Sequence, residues 1–248
     1  MLNQLARYGP ALELVEEARG GGGRLLEVGS GAEGIARFAA PDWEITACDR
    51  DFSDYGSVDA SAATTGKLTR VEGDVTALPF GDGEFDVVLT LDLLEHVPPE
   101  LRPKALSELA RVASRRVVVA CPCGEGALEA DRRLARFYRM QGRKPPVWLA
   151  EHLENGFPEV AEIASSLEPY GEVRVVPNEG LRMHFAVSAA EGVRGVARGT
   201  VWLARRLEPG MRDAAEGRRT RAARALSWLR GGDRDPAYRQ FVVVERTP

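Results

Sequence analysis

Seven runs rich in Val, Ile, Leu and Thr recur along the chain, and the stretches between them space their apolar residues helically. The runs predict strands at about 24–28, 43–49, 68–74, 85–91, 115–121, 172–176 and 241–245. Helices are expected over 10–18 with Pro10 in the first turn, over 33–39 ending before Pro41, and over 99–112. Further helices are expected at 125–141, 147–154 and 158–167, and 181–230 reads as helical with Pro209-Gly210 as its midpoint turn. Gly20 to Gly23 lack a following Lys-Ser/Thr and read as a linker, while 51–66 reads as a loop with a weak helix. Strands alternating with helices predict an α/β fold with a parallel, doubly wound sheet of these seven strands. The breaks in rhythm read as helical insertions at 123–155 and 178–237 on one domain, 1–248, because neither has enough apolar residues for its own core.

Composition narrows the class. Hydrophobic residues at 44% and charged residues at 28% are enough for a full core in a globular protein. Nothing approaches ~20 uninterrupted apolar residues, so no spanning helix is expected. The start, Met1-Leu2-Asn3-Gln4-Leu5-Ala6-Arg7, lacks the apolar run of a signal peptide. Cys48, Cys121 and Cys123 have no C-x-x-C spacing, which fits a reducing compartment; the expected location is cytoplasmic. A net charge of −4 argues against a general nucleic-acid partner.

The candidate chemistry begins where the first strand meets a glycine turn. Gly29, Gly31 and Gly34 in Glu27-Val28-Gly29-Ser30-Gly31-Ala32-Glu33-Gly34 have the G-x-G-x-x-G spacing, which lets backbone N–H groups approach a ligand. Asp49 ends the second strand 20 residues after Gly29, where a carboxylate meets ribose hydroxyls. Asp74 ends the third and could accept from an adenine amino group. So many acids favour a cationic ligand over a pyrophosphate. An NAD(P)-dependent oxidoreductase using the same turn is the rival enzyme, and a non-catalytic cofactor-binding or scaffold protein is the rival of another class.

Taken together, Leu26–Gly34, Asp49, Gly73-Asp74-Val75-Thr76-Ala77-Leu78-Pro79-Phe80, Phe85–Leu89, Leu94-Glu95-His96-Val97-Pro98 and Glu108–Val112 resemble the class I S-adenosylmethionine-dependent methyltransferases of the small-molecule type. The resemblance implies a Rossmann-like methyltransferase fold, that is a doubly wound, mainly parallel seven-stranded sheet with an antiparallel C-terminal strand, with S-adenosyl-L-methionine as cofactor and S-adenosyl-L-homocysteine as product. Position by position, it implies that Gly29, Ser30 and Gly31 wrap the methionine part, with Glu27 and Gly34 in the same motif. Asp49 would bind the ribose, Asp74 and Val75 the adenine, and the Leu91 backbone would lie near the methionine amine. Arg50 would cover the adenine face. The reaction implied is in-line displacement on the methyl carbon by an O- or N-nucleophile of a small-molecule acceptor, possibly a sugar, lipid-linked or natural-product acceptor.

Three histidines are the remaining candidates. His96 is either a base or acceptor-orienting group near the methyl, or part of a structural strand-to-helix turn; His152 is either a lid base or a surface helix residue. His184 reads as structural. Asp92, Glu95 and His96 have a spacing similar to the divalent-metal motif of certain quinone and RNA-end methyltransferases, but many metal-free relatives share it, so no metal is expected. Cys121 and Cys123 read as buried strand-end thiols. Residues 181–230 hold eleven arginines against four acids. Such helices either pack on one another with a solvated basic face, or make peripheral membrane contact or a homodimer.

Overall fold

The first strand, Gly23–Val28 (β1), lies third in a seven-stranded sheet, next to its middle strand, and what flanks it fixes where a ligand can enter. The fold was obtained as a computed structural model that describes residues 2–18, 23–31, 34–52, 67–218, 220–229 and 236–246. The loop expected over 51–66 lies, from residue 53 on, outside the described residues, as does the glycine joint before Gly23. The other strands are β2 (Trp43–Asp49), β3 (Lys67–Glu72), β4 (Phe85–Leu91), β5 (Ala113–Pro122), β6 (Gly171–Gly180) and β7 (Ala237–Arg246). Their order is β3-β2-β1-β4-β5-β7-β6. All pairs are parallel except those of β7, which runs antiparallel to both β5 and β6. The order reverses between β1 and β4, so the crevice over their carboxyl ends is the place for a ligand.

Alternation along the strands sorts the core onto two faces. Leu25, Ile45, Leu89, Val118 and Phe241 pack with helix α1 (Leu2–Glu17), while Leu26, Val88, Val117, Val119 and Val242 pack with α2 (Arg102–Val112) and α5 (Val160–Leu167). Helices α3 (Gly124–Met140) and α4 (Val147–Asn155) form a satellite cluster around Leu134, Tyr138 and Leu149, which also takes Ala189 from α6 (Leu181–Gly192). The arginine-rich segment continues as α7 (Arg194–Leu207), α8 (Pro209–Ala215) and α9 (Arg221–Leu229). Ala204, Leu207, Met211 and Leu226 join the α1 face of the core. At ~1.5–3 kcal/mol for each large apolar side chain buried, these helices are fastened to the sheet.

Three expectations are corrected. Helix α1 starts at Leu2, and Pro10 lies in its interior rather than its first turn. Proline cannot donate to the carbonyl four residues back, and the Ala6 oxygen instead accepts from Asn178 Nδ2 at 3.2 Å. In place of a helix at 33–39 there is a 3-10 turn, Gly34–Arg37, too short to aim a helix dipole at the site. The 181–230 segment is four short helices, and Pro209 opens the third. Among the described residues no helix is long and apolar enough to cross a membrane.

Candidate active site

Three strand ends build the first wall. Gly29 leaves β1 with φ +76° and donates to the Cys48 carbonyl at 2.8 Å, tying the turn to β2. The Gly31 N–H donates to Asp49 Oδ2 at 2.9 Å, and Asp49 Oδ1 accepts from the Arg50 N–H at 2.8 Å. The carboxylate expected to bind ribose therefore also shapes the glycine turn. Asp74 accepts from both the N–H and the hydroxyl of Thr76, at 2.8 and 2.7 Å, and these bonds hold its carboxyl below the ordinary value. Arg50, largely exposed, lies 3.9 Å from Asp74 Oδ2. The Leu78-Pro79-Phe80 turn is clamped from α2: Glu108 accepts from the Leu78 N–H, and Arg111 donates to the Leu78 and Phe80 carbonyls. The Glu108–Val112 motif thus acts by holding this turn in place.

These elements enclose a cleft of about 570 Å³. Of the residues singled out in the sequence, Gly29, Asp49, Arg50, Asp74 and Val75 line it. Glu27, Ser30, Gly31, Gly34 and Leu91 are not among the residues that line it. Leu91 ends β4 with its side chain in the core. Sequence reasoning missed the apolar side of the cleft, Leu93, Val97 and Leu101, and also Thr76. Two acids and one exposed arginine suit a cation-bearing nucleoside, whereas a pyrophosphate would meet repulsion.

Glu27 is buried under the turn, and Gly34, at φ +54°, is a position where a side chain would collide with its carboxylate. Burial pushes its carboxyl up to about 7, although the Ile35 N–H donates to it at 2.5 Å. The folded state then holds this proton more tightly than the unfolded chain. Its contribution to stability is complete below about pH 4.5 and is lost as pH rises through about 7. Glu27→Gln removes this titration. Denaturant unfolding at several pH values should show the variant gaining about 3 kcal/mol on the native protein between pH 4.5 and neutrality.

A second cavity, of about 830 Å³, adjoins the first, and His96 lines both. His152 stands on its wall; it is buried, not a surface helix residue, with Nδ1 2.8 Å from Asp131 Oδ2. His184 lies 3.3 Å from Asp131 and 3.4 Å from Glu179, stacked on Tyr238 with ring centroids 3.3 Å apart. Burial opposes charge here, but the two carboxylates outweigh it and raise His184 above its ordinary value. Asp92 is forked by Arg239 at 2.7 and 2.8 Å and also accepts from Arg7 at 3.1 Å. Burial would raise it, but these arginines hold it well below the carboxylate range. Arg239 also pairs with Glu179. Both acids have left-handed backbones, φ +52° for Asp92 and +61° for Glu179, and one guanidinium holds both in place.

Glu95 is fully buried, and among the described residues neither carboxylate oxygen has a hydrogen-bond partner. Burial, then the Asp92 charge, pushes its carboxyl well above the usual value. His96 holds Glu151 at 3.0 Å through Nδ1; burial and the neighbouring His152 lower it. Of the network, Asp131, Glu179 and Arg239 were missed in the sequence. Asp131 left one trace: it is the single acid on the buried stripe of α3, beside Ala127, Ala130, Leu134, Ala135 and Tyr138. Cys121 and Cys123 are buried free thiols, as expected.

Residues 26–121 match a family model described as a methyltransferase domain. Among solved structures, phosphoethanolamine N-methyltransferase 2 of Haemonchus contortus, in complex with phosphomonomethylethanolamine and S-adenosylhomocysteine, is similar with a TM-score of 0.56. It is 15% identical over 96% of this chain and 53% of its own, so the present chain spans about half its length. A possible histamine N-methyltransferase of Thermotoga maritima has a TM-score of 0.55 and 12% identity, covering 98% of this chain and 91% of that one. The YcgJ protein of Bacillus subtilis has a TM-score of 0.56 and 14% identity, covering 96% and 99%. At these identities the likeness is one of fold.

Proposed function

We propose that this chain, which carries a class I methyltransferase domain at residues 26–121, transfers the methyl group of S-adenosyl-L-methionine to a small-molecule acceptor. The observation that carries this reading is the seam between the two cavities at His96. The first cavity would take the donor, with Asp49 on the ribose, Asp74 and Val75 on the adenine, and the Gly29–Gly31 turn along the methionine. Arg50 would lie over the adenine, and the Leu91 backbone near the amine. The second, polar cavity would take the acceptor's O- or N-nucleophile, brought to the seam by His96 and His152. When bound, the donor supplies a sulfonium methyl; the nucleophile forms the new bond to carbon while the C–S pair returns to sulfur. Alignment and exclusion of water are what these residues contribute. Incubation with isotope-labelled donor and a panel of small hydroxyl and amine acceptors tests the reading. Acceptor-dependent formation of S-adenosylhomocysteine is expected, and binding of that product without turnover on any acceptor would favour a non-catalytic protein.

Val196, Trp202 and Leu203 are exposed on α7 among Arg198, Arg205 and Arg206, and this supports peripheral contact with an anionic lipid surface. Flotation with phosphatidylserine vesicles should carry the protein upward, and a Trp202→Ser variant should float less. Failure to float with either anionic or neutral vesicles would assign this face to another partner, such as a second copy.

A further inference from the structure

We propose that Glu95, His96 and His152 form a divalent-cation site on the wall between the two cavities. One ligand atom from each of the three lies within 4.8 Å of the others, close enough for a single ion to gather them after small side-chain shifts. Each histidine has one ring nitrogen already fixed by a carboxylate. Asp131 holds Nδ1 of His152 at 2.8 Å, and Glu151 holds Nδ1 of His96 at 3.0 Å. In each case this partner places the proton on Nδ1 and leaves Nε2 as the lone-pair nitrogen, the arrangement that outer carboxylates impose on metal-binding histidines.

The lone pair of His152 then faces Glu95, with Nε2 3.9 Å from Oε1. That carboxylate is fully buried, and neither of its oxygens has a hydrogen-bond partner among the described residues. A buried carboxylate opposite a nitrogen lone pair is costly without a cation or a proton between them. Asp92, three residues before Glu95, does not belong to the set: Arg239 and Arg7 occupy both its oxygens. The third member, His152, comes from α4, which packs against the turn after β4 that carries Glu95 and His96. Two imidazoles and one carboxylate suit Zn(II), Mn(II), Fe(II) or Co(II), and leave coordination positions open towards the second cavity. The methyl-transfer reading gives those positions an occupant, an oxygen or nitrogen of the acceptor, but the site itself stands independently of it.

Protein stripped with a chelator and titrated with Co(II) should develop visible ligand-field absorption that saturates at one equivalent, and Mn(II) should compete for it. Glu95→Gln and His152→Leu should each weaken Co(II) binding by 10²-fold or more. Asp131→Asn, acting only through His152, should weaken it by about 10–100-fold. Binding of S-adenosylhomocysteine, followed by calorimetry, should stay within a few-fold of native in all three variants. That control shows that they are folded and separates this proposal from the methyltransferase reading. Absence of a saturable Co(II) signal, or the same affinity in native protein and Glu95→Gln, would overturn the site and leave Glu95 as a buried neutral acid.

Discussion

Replacing Arg239 with methionine should lower folding stability by about 3–5 kcal/mol, the usual cost of removing one partner from a buried ion-pair network. The guanidinium is 1% exposed and joins two acids from different elements, Asp92 after β4 and Glu179 near the end of β6. Without it, among the described residues, Glu179 keeps His184 and Asp92 keeps Arg7, whose guanidinium makes one bond in place of the fork. Both acids would also lose the contact that holds their left-handed backbones. A lysine cannot reproduce the forked geometry, so Arg239→Lys should recover only part of the loss. Urea unfolding measures it, and a loss below about 1 kcal/mol would mean that water, not Arg239, satisfies these carboxylates.

Asp49→Ala should raise the Kd for S-adenosylhomocysteine by at least about 10²-fold. Two ribose hydroxyls donating to an ionised carboxylate contribute on the order of 1.5–3 kcal/mol each, and a tenfold change in Kd is about 1.4 kcal/mol. The alanine also leaves the Gly31 N–H without its acceptor, so the turn loses the contact that fixes its height over β1. Calorimetric titration reads the change directly. A Kd within threefold of native would remove Asp49 from the site and leave it only the bond to the turn.

What the sequence disclosed depended on range. β2 and β4 were legible to their end residues, since Trp43–Asp49 and Phe85–Leu91 are short apolar runs bounded by polar turns. β6 runs on to Gly180, well past Val176, because pairing with β7 carries Pro177 and Asn178 into the ladder. Pro10 misplaced the start of α1, and the residue that excuses it, Asn178, is 168 positions away. The cleft at the strand ends was legible because a glycine turn and two strand-end acids declare themselves locally. The acceptor side was not. His96 and His152 could be named, but their meaning rests on Asp131, Glu151 and an unpartnered Glu95, which only the packing of α3 and α4 against the β4 turn brings together. Of the Asp92-x-x-Glu95-His96 spacing, only Glu95 and His96 face His152; Asp92 is taken up by two arginines from α1 and β7, which the spacing alone does not disclose.

Calorimetric titration of the native chain with S-adenosylhomocysteine, and separately with NAD(H) and NADP(H), tests the central claim most directly. Saturable one-site binding of S-adenosylhomocysteine, abolished or strongly weakened in Asp49→Ala, with no binding of the dinucleotides, is the predicted result. Binding of a dinucleotide alone would contradict it and return the glycine turn to a nicotinamide-dependent enzyme.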